Sequence, residues 1–468
     1  MNYVTIILIL GFTKYVHQVL YAVYLLQLKE YRHDRLKEHL LRKHKHVHHA
    51  LFHTGIAAPL SLDMLPRPTG KATLIVLLAL ALGATLIYML GIVGVVAALL
   101  FSLGIVLVTQ SIISPIEHAL RQSTYKSART KIIDLKAHGL IVIGITGSYG
   151  KTSAKDFTSH ILSSSFPVLS TKNSINTPLG VARAILKELQ PEHKFFVVEM
   201  GAYKVGEIAE LCDIALPDVG VITGISNQHI SLFGSQENII RGKSELFDKL
   251  NPSGTAYINA HSPHAHQSKN IHIPIIEYSE KSLPKDLKTA LEATNLPKEL
   301  RQNVIPGILI ALKFGLSEQQ ISSSLTTLGA SEKTMLATKG MKDALIIDDS
   351  HNMSEIGVTT AISYLASLPQ KNKLLIMPCI IELGDQAEET HRRIGSMIKD
   401  NDIEAIITTE DYFAEISETA PKDKVRFIPR PDVVCAYLRD HITKDWAIVL
   451  EGRISPHIVS FLTEKDRV

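Results

Sequence analysis

The chain has 468 residues, 46% hydrophobic and 20% charged, with a formal net charge of +3. That length can enclose two or three hydrophobic cores, and so small a net charge gives no reason to invoke nucleic acid as a partner. Cys212, Cys379 and Cys435 lack metal-ligand spacing and read as core fillers in a reducing compartment.

From the N-terminus, residues 3–26 form an apolar segment interrupted by Lys14 and His17, with no small-residue cleavage site after it, which predicts a retained membrane helix. Residues 72–90 and 92–112 are two cleaner apolar runs, with no charged residue between Lys71 and Glu117, and read as a membrane hairpin turning near Gly91. The loop at 27–71 is dense in Arg32, Arg35, Lys37, Arg42, Lys43 and Lys45, so the positive-inside rule places it in the cytoplasm. Everything after Ser111 is then cytoplasmic too. The expectation is a multi-pass protein of the inner (plasma) membrane, with residues 1–130 as the membrane region. Within the loop, a helix over 28–41 would lie at the interface with its basic face toward lipid. His44, His46, His48, His49 and His53 stand among cations that repel a metal, so an anionic headgroup surface is the simpler partner.

A polar stretch at 122–136 reads as a connector. Beyond it, short β-like runs alternate with helical ones, as in an α/β domain with a mostly parallel sheet. The central domain is expected at 137–328. Its first strand, Leu140 to Ile143, feeds GITGSYGKT at 144–152, a glycine turn running into a helix N-terminus. Such a turn presents converging N–H groups to phosphate oxygens. Gly147, Ser148 and Gly150 would cradle the anion, Lys151 would face the outer phosphates, and the Thr152 hydroxyl would hold Mg2+. The spacing departs from the strict phosphate-loop pattern, and an ordinary glycine turn with a helix cap is the bland alternative.

A short strand at 167–170 and the polar run TKNSINTPLG at 171–180 follow, opening a helix at 181–189. The strand Phe195 to Glu199 ends in an acid, and a carboxylate at the C-terminal end of a parallel strand beside a phosphate loop is placed to meet Mg2+. A helix at 206–211 and a strand at 219–223 lead to a run carrying His229 and Lys243. On its own, Lys243 reads as a surface helix lysine.

With TGSYGKT, SINTPLG, VVEMGA, PDVGVITGISNQH, FGSQENIIRGKSELF, IIDDSHN and IIELGDQAEETH in order over about 140–395, the chain resembles the Mur ligase family. Within that family it is nearest the members that join D-alanyl-D-alanine to a UDP-muramoyl tripeptide. The resemblance implies a carboxylate phosphorylated by ATP, attacked by an amine, and converted to an amide with release of ADP and phosphate. It implies Lys151, His229 and Lys243 as catalytic, with Thr152, Glu199, His229 and a carbamylated Lys243 around Mg2+. Asn176 and Thr177 would contact substrate or phosphate, and Asn303 the adenine. In the C-terminal domain it implies a nucleotide contact for Asp348 and substrate contacts for Asp349, Asn352 and Arg453.

That C-terminal domain, expected at 329–468, again alternates strand and helix. Strands at 345–347, 373–377, 405–408, 425–428 and 446–450 suggest a smaller dinucleotide-fold-like sheet. His391 reads as structural. The chain departs from the family in three places. In the adenine-side pattern beginning at Pro297, Asn303 survives and the Gly and His positions do not; Lys333 and Thr334 replace a Gly-Arg pair; Glu451, Gly452 and Arg453 stand where Lys-Gly-Ser-Arg is usual, reversing a charge.

The expected architecture is therefore α/β, a phosphate-loop Mur-ligase-like central domain and a C-terminal α/β domain preceded by transmembrane helices. These helices occupy the place of the usual UDP-sugar-binding domain. The leading expectation is a membrane-anchored ATP-dependent amide ligase acting on a muramoyl peptide or lipid-linked carboxylate with an amino acid or dipeptide donor. The alternatives are a polyglutamate-type or other cell-surface polymer ligase, and a nucleotide-binding scaffold without catalysis.

Overall fold

The structure, a computed structural model, describes residues 2–28, 31, 36, 65–172, 175–226, 230–262, 273–294, 296, 298–328, 336–350, 353–381 and 383–463. Most of the basic loop, its expected interfacial helix, the 329–335 connector, His229 and Asn352 lie outside the described residues. The chain forms two compact units, Met1–Ser123 and Thr124–Val468.

Among the described residues, three helices are long and apolar enough to cross a membrane: Tyr3–Leu28, Gly70–Leu100 and Ser102–Ala137. Small and apolar residues face inward within the first unit, with Tyr15, Val19, Ala22 and Leu26 against Ile75 and Ala79, while Leu74, Leu77 and Leu82 face outward. Lacking a hydrophobic drive between helices in lipid, such contacts depend on close packing and hydrogen bonds. The Tyr15 hydroxyl donates to the Ala79 carbonyl at 2.6 Å, and its ring fills the space over Gly83, where a Cβ would lie 2.1 Å away. At Gly91 (φ +55°) the second helix breaks. A Cβ on Gly94 would lie 2.2 Å from the Leu86 oxygen; in a straight helix those residues would be about 12 Å apart, so the chain doubles back at Gly91. Near the other end, Glu117 accepts from Lys71 at 2.7 Å and pairs with Arg121 at 2.5 Å.

The stretch at 122–136 is helix rather than connector, the last part of Ser102–Ala137. Its polar residues conceal Tyr125, Ala128, Ile132 and Leu135, which recur at helical spacing and join the core of the central domain. Lys136 pairs with Asp218 at 2.6 Å, and Arg129 donates to the Asp213 carbonyl at 2.5 Å.

The central sheet contains β1 Ile141–Thr146, β2 Val168–Ser170, β3 Phe195–Glu199, β4 Val219–Ile222, β5 Thr255–Asn259 and β6 Ile275–Tyr278, ordered β2-β3-β1-β4-β5-β6 and parallel throughout. Alternation along each strand divides the apolar residues between two faces. Val142, Phe196 and Val198 pack under helices Pro178–Glu188, Glu207–Ala215 and Gln236–Asp248. Ile143, Phe195 and Val197 pack under Lys151–Ser163 and Ile305–Lys313. β5 and β6 have no counterpart in the sequence reading. β6 is an edge strand with three of its four residues exposed, so it shows no core-facing alternation.

The C-terminal sheet contains β7 Leu336–Lys339, β8 Leu345–Asp349, β9 Asn372–Met377, β10 Glu404–Ile407, β11 Val425–Phe427 and β12 Trp446–Glu451, ordered β11-β10-β9-β12-β8-β7. Only β7 runs antiparallel. β8 extends two residues past its expected end, so Asp348 and Asp349 are its last residues rather than loop residues.

Candidate nucleotide and metal site

β1 delivers the chain to the glycine loop, where the backbone takes conformations that side chains oppose. Gly147 has φ +152° and Gly150 has φ +73°. A Cβ on Gly147 would lie 2.2 Å from the Thr223 Oγ1, and one on Gly150 2.5 Å from the Asn303 Oδ1. The loop is tied to the segment after β4: the Ser148 N–H donates to the Gly224 carbonyl at 2.7 Å, and the Ser226 N–H donates to the Ser148 Oγ at 3.0 Å. Asn303, for which the resemblance implied an adenine contact, is thus seated against the phosphate loop itself.

Helix Lys151–Ser163 starts without a side-chain cap, leaving its first-turn N–H groups for an anion. The Lys151 ammonium donates to the Gly147 carbonyl at 2.8 Å and to that of Ser148 at 3.3 Å. Burial pushes its pKa down, and the nearby charge of Glu199 works against that shift.

Glu199 is wholly buried at the end of β3. Its Oε2 accepts from the Thr152 hydroxyl at 2.8 Å, and its Oε1 accepts from the Asn176 amide at 2.9 Å. The Lys155 ammonium stands 4.0 Å from Oε2. An uncompensated buried carboxylate costs several kcal/mol, roughly, and these three groups offset it. Asn176, expected to contact substrate or phosphate, thus holds the acid in place. Thr177 is the exposed N-cap of Pro178–Glu188, and its side chain makes no capping bond.

Lys243 is buried, not a surface lysine. Its ammonium lies 3.5 Å from the Ala202 carbonyl and 5.6 Å from the centre of the Phe233 ring. Burial first, then the charge of Lys151, push its pKa down to about 7. A substantial fraction of its amine is then neutral near pH 7.

Asp348, Asp349 and Arg453 gather elsewhere, at the C-terminal edge of the second sheet. Asp348 accepts from the Ser350 N–H at 3.0 Å. Asp349 is the register partner of Glu451 across β8 and β12, and Arg453 is exposed. Among the described residues, no hydrogen bond or ion pair joins this group to the phosphate-loop group. His391 is structural, as expected: its Nε2 accepts from the Ile380 N–H at 3.0 Å, and its ring stacks on Tyr412 at 4.5 Å.

The glycine cradle, the uncapped helix and the oxygen donors of Thr152 and Glu199 fit a triphosphate with a hard divalent cation. Residues 145–319 match the Mur ligase middle domain. The central domain belongs to the Mur ligase family.

Among its relatives in that family, the UDP-N-acetylmuramoyl-tripeptide–D-alanyl-D-alanine ligase of Synechocystis sp. is 31% identical over 270 residues, 55% of this chain and 59% of the relative. The Escherichia coli ligase of the same name is 27% identical over 295 residues, 57% of this chain and 64% of the relative. The chain thus spans about six-tenths of the length of these curated relatives. A crystal structure of MurF from Acinetobacter baumannii superposes with a TM-score of 0.63 at 22% identity, covering 73% of this chain and 79% of that one, which shows a shared fold.

One residue at this Mur ligase site escaped the sequence reading. Lys155 follows Lys151 by one helical turn and is 1% exposed beside Ala154, Phe157 and Thr158. A lysine on the apolar face of a helix is the signal that would have found it, because burial demands a partner.

Proposed function

We propose that this chain is a membrane-anchored, ATP-dependent ligase that joins a carboxylate to an amine, forms ADP, and works in cell-wall precursor assembly. The reading is carried by the Glu199 cluster: a wholly buried carboxylate at a strand end, joined to the Thr152 hydroxyl beside a lysine-bearing phosphate loop. Family membership supports the use of ATP. In this reading, Lys151 and the loop amides hold the phosphates, while Thr152 and Glu199 hold Mg2+, with His229 completing the set. The cation would neutralise charge on the transferring phosphoryl oxygens.

Lys243, with neutral amine available near pH 7, is suited to carbamylation, which would replace a buried cation by a carboxylate beside Lys151. The acceptor is a carboxylate kept at the bilayer, a muramoyl peptide or lipid-linked precursor, and the donor an amino acid or dipeptide. Three apolar helices hold the protein in the inner membrane with its soluble domains on the cytoplasmic side, where ATP is supplied. Confinement of enzyme and acceptor to one surface raises their effective concentration without altering the chemical step.

The test is ADP release by the detergent-solubilised full chain supplied with membrane extract as carboxylate source and with candidate amines. Turnover that requires both partners and disappears in Lys151→Ala is expected. Nucleotide binding without turnover under every pairing would replace the ligase with the scaffold reading.

A further inference from the structure

At the cytoplasmic end of the membrane unit, Lys71 opens helix Gly70–Leu100, and Arg121 follows Glu117 by one turn of helix Ser102–Ala137. The Lys71 ammonium donates to the Glu117 carboxylate at 2.7 Å and stands 3.8 Å from the centre of the Tyr31 ring. An Arg121 Nη donates to the same carboxylate at 2.5 Å. Among the described residues, ion pairs join both cations to Glu117 alone, so the cluster keeps one positive charge. Two of its donors are unused. The Arg121 Nε and the Tyr31 hydroxyl are both buried, and neither has a hydrogen-bond partner. The placing of Tyr31 is itself built: its backbone takes φ +57°, a left-handed conformation that a bulky side chain resists, and the buried Gln110 amide donates to its carbonyl at 2.8 Å.

We infer that Lys71, Arg121 and Tyr31 form a seat for the phosphate group of an anionic lipid in the cytoplasmic leaflet. A buried N–H or O–H without an acceptor calls for one from a ligand. A guanidinium can only donate, and the charge left over by Glu117 selects an anion. Phosphate meets both conditions, with several acceptor oxygens and the charge-assisted geometry that arginine favours. A staple between two helices accounts for Glu117 and its two cations, but not for the two buried donors beside them. The phosphate is carried on a lipid rather than free because apolar side chains lead to the seat. Ile112, Ile116 and Leu120 recur along the exposed face of one helix and end next to Arg121, and Leu74 and Leu77 are exposed just after Lys71 on the other. Acyl chains can lie along these stripes with the headgroup at the cations, and basic groups between membrane helices on the cytoplasmic side suit such headgroups.

The test is native mass spectrometry of the full-length protein in non-ionic detergent, titrated with dioctanoyl phosphatidic acid, with dioctanoyl glycerol and inorganic phosphate as comparators. Saturable binding of phosphatidic acid is expected, about tenfold weaker in Arg121→Gln and about threefold weaker in Tyr31→Phe. Binding should be unchanged in Lys126→Gln, which removes an exposed cation further along the same helix. Tyr31→Phe keeps the ring over Lys71 and removes only the hydroxyl, so it decides the matter even if Arg121→Gln fails to fold. Unchanged affinity in Tyr31→Phe, or equal binding of dioctanoyl glycerol, overturns the seat. A loss in Lys126→Gln as large as that in Arg121→Gln overturns it too, by showing a diffuse basic surface. Inorganic phosphate bound as tightly as the lipid overturns the lipid assignment. Neither ATP nor an amine enters the measurement, so the seat stands or falls apart from the ligase reading.

Discussion

The Thr152 hydroxyl donates to the Glu199 carboxylate at 2.8 Å, so two oxygens proposed for one cation, brought by different elements, lie within a single hydrogen bond. Removing either should damage turnover more than folding. Glu199→Gln keeps the shape and loses the charge; kcat is expected to fall by about 10²–10³, with nucleotide affinity changed much less. Steady-state ADP release alongside direct nucleotide titration separates the two effects.

Lys243 gives a pH signature. Its folded pKa of about 7 lies below the ordinary lysine value, so between about pH 7 and pH 10 the unfolded chain binds the extra proton and stability rises with pH. Lys243→Met should remove that rise and be the more stable protein at pH 7. Denaturant titrations from pH 6.5 to 9.5 measure both slopes. A carbamate on the unaltered lysine would appear as an added carbon-13 resonance under labelled carbon dioxide and be missing from the variant.

The acid pair at the second sheet edge has the opposite slope. Asp349 is pushed up to about 7 by burial and by the Asp348 charge, with Glu451 above its ordinary range as well. From about pH 4 to pH 7 the folded state therefore binds more protons than the unfolded one, and stability falls as pH rises. Glu451→Gln should flatten that fall, followed by thermal unfolding of the full chain across the same pH range.

At Gly150 the backbone has φ +73°, and an added Cβ would meet Asn303 at 2.5 Å. Gly150→Ala should cost about 1–2 kcal/mol through the left-handed backbone alone and should sharply weaken nucleotide binding. Pairing it with Asn303→Ala relieves the contact and leaves the backbone cost, so stability should recover only in part.

Ile132 tests the helix that replaced the expected connector. It is 0% exposed within the central core, and Ile132→Ala should cost about 2–5 kcal/mol. A solvated connector would tolerate the same change within about 0.5 kcal/mol. Chemical denaturation of the full chain distinguishes these outcomes.

The glycine loop, the strand-end acid at Glu199 and the apolar spans were legible in the sequence because each is a local pattern: fixed spacing, alternation ending in a carboxylate, uninterrupted hydrophobicity. The stretch at 122–136 was not, because four buried residues are spaced among exposed charges. Lys155 was missed because whether a helix lysine is buried depends on what packs over it. Lys243 was misread as exposed for the same reason, and only its resemblance to a family pattern had pointed inward.

By itself, then, the sequence determined the buried strands that flank the phosphate-type turn, that turn and the spans, since those follow from the order of neighbouring side chains. Only the tertiary structure decided that Asn176 and Thr152 meet on one carboxylate, that Asn303 closes on Gly150, and that Glu451 lies wholly buried against Asp349. Those meetings depend on strand order and register, which bring distant parts of the chain to one sheet edge and set the burial that determines what each charge can do.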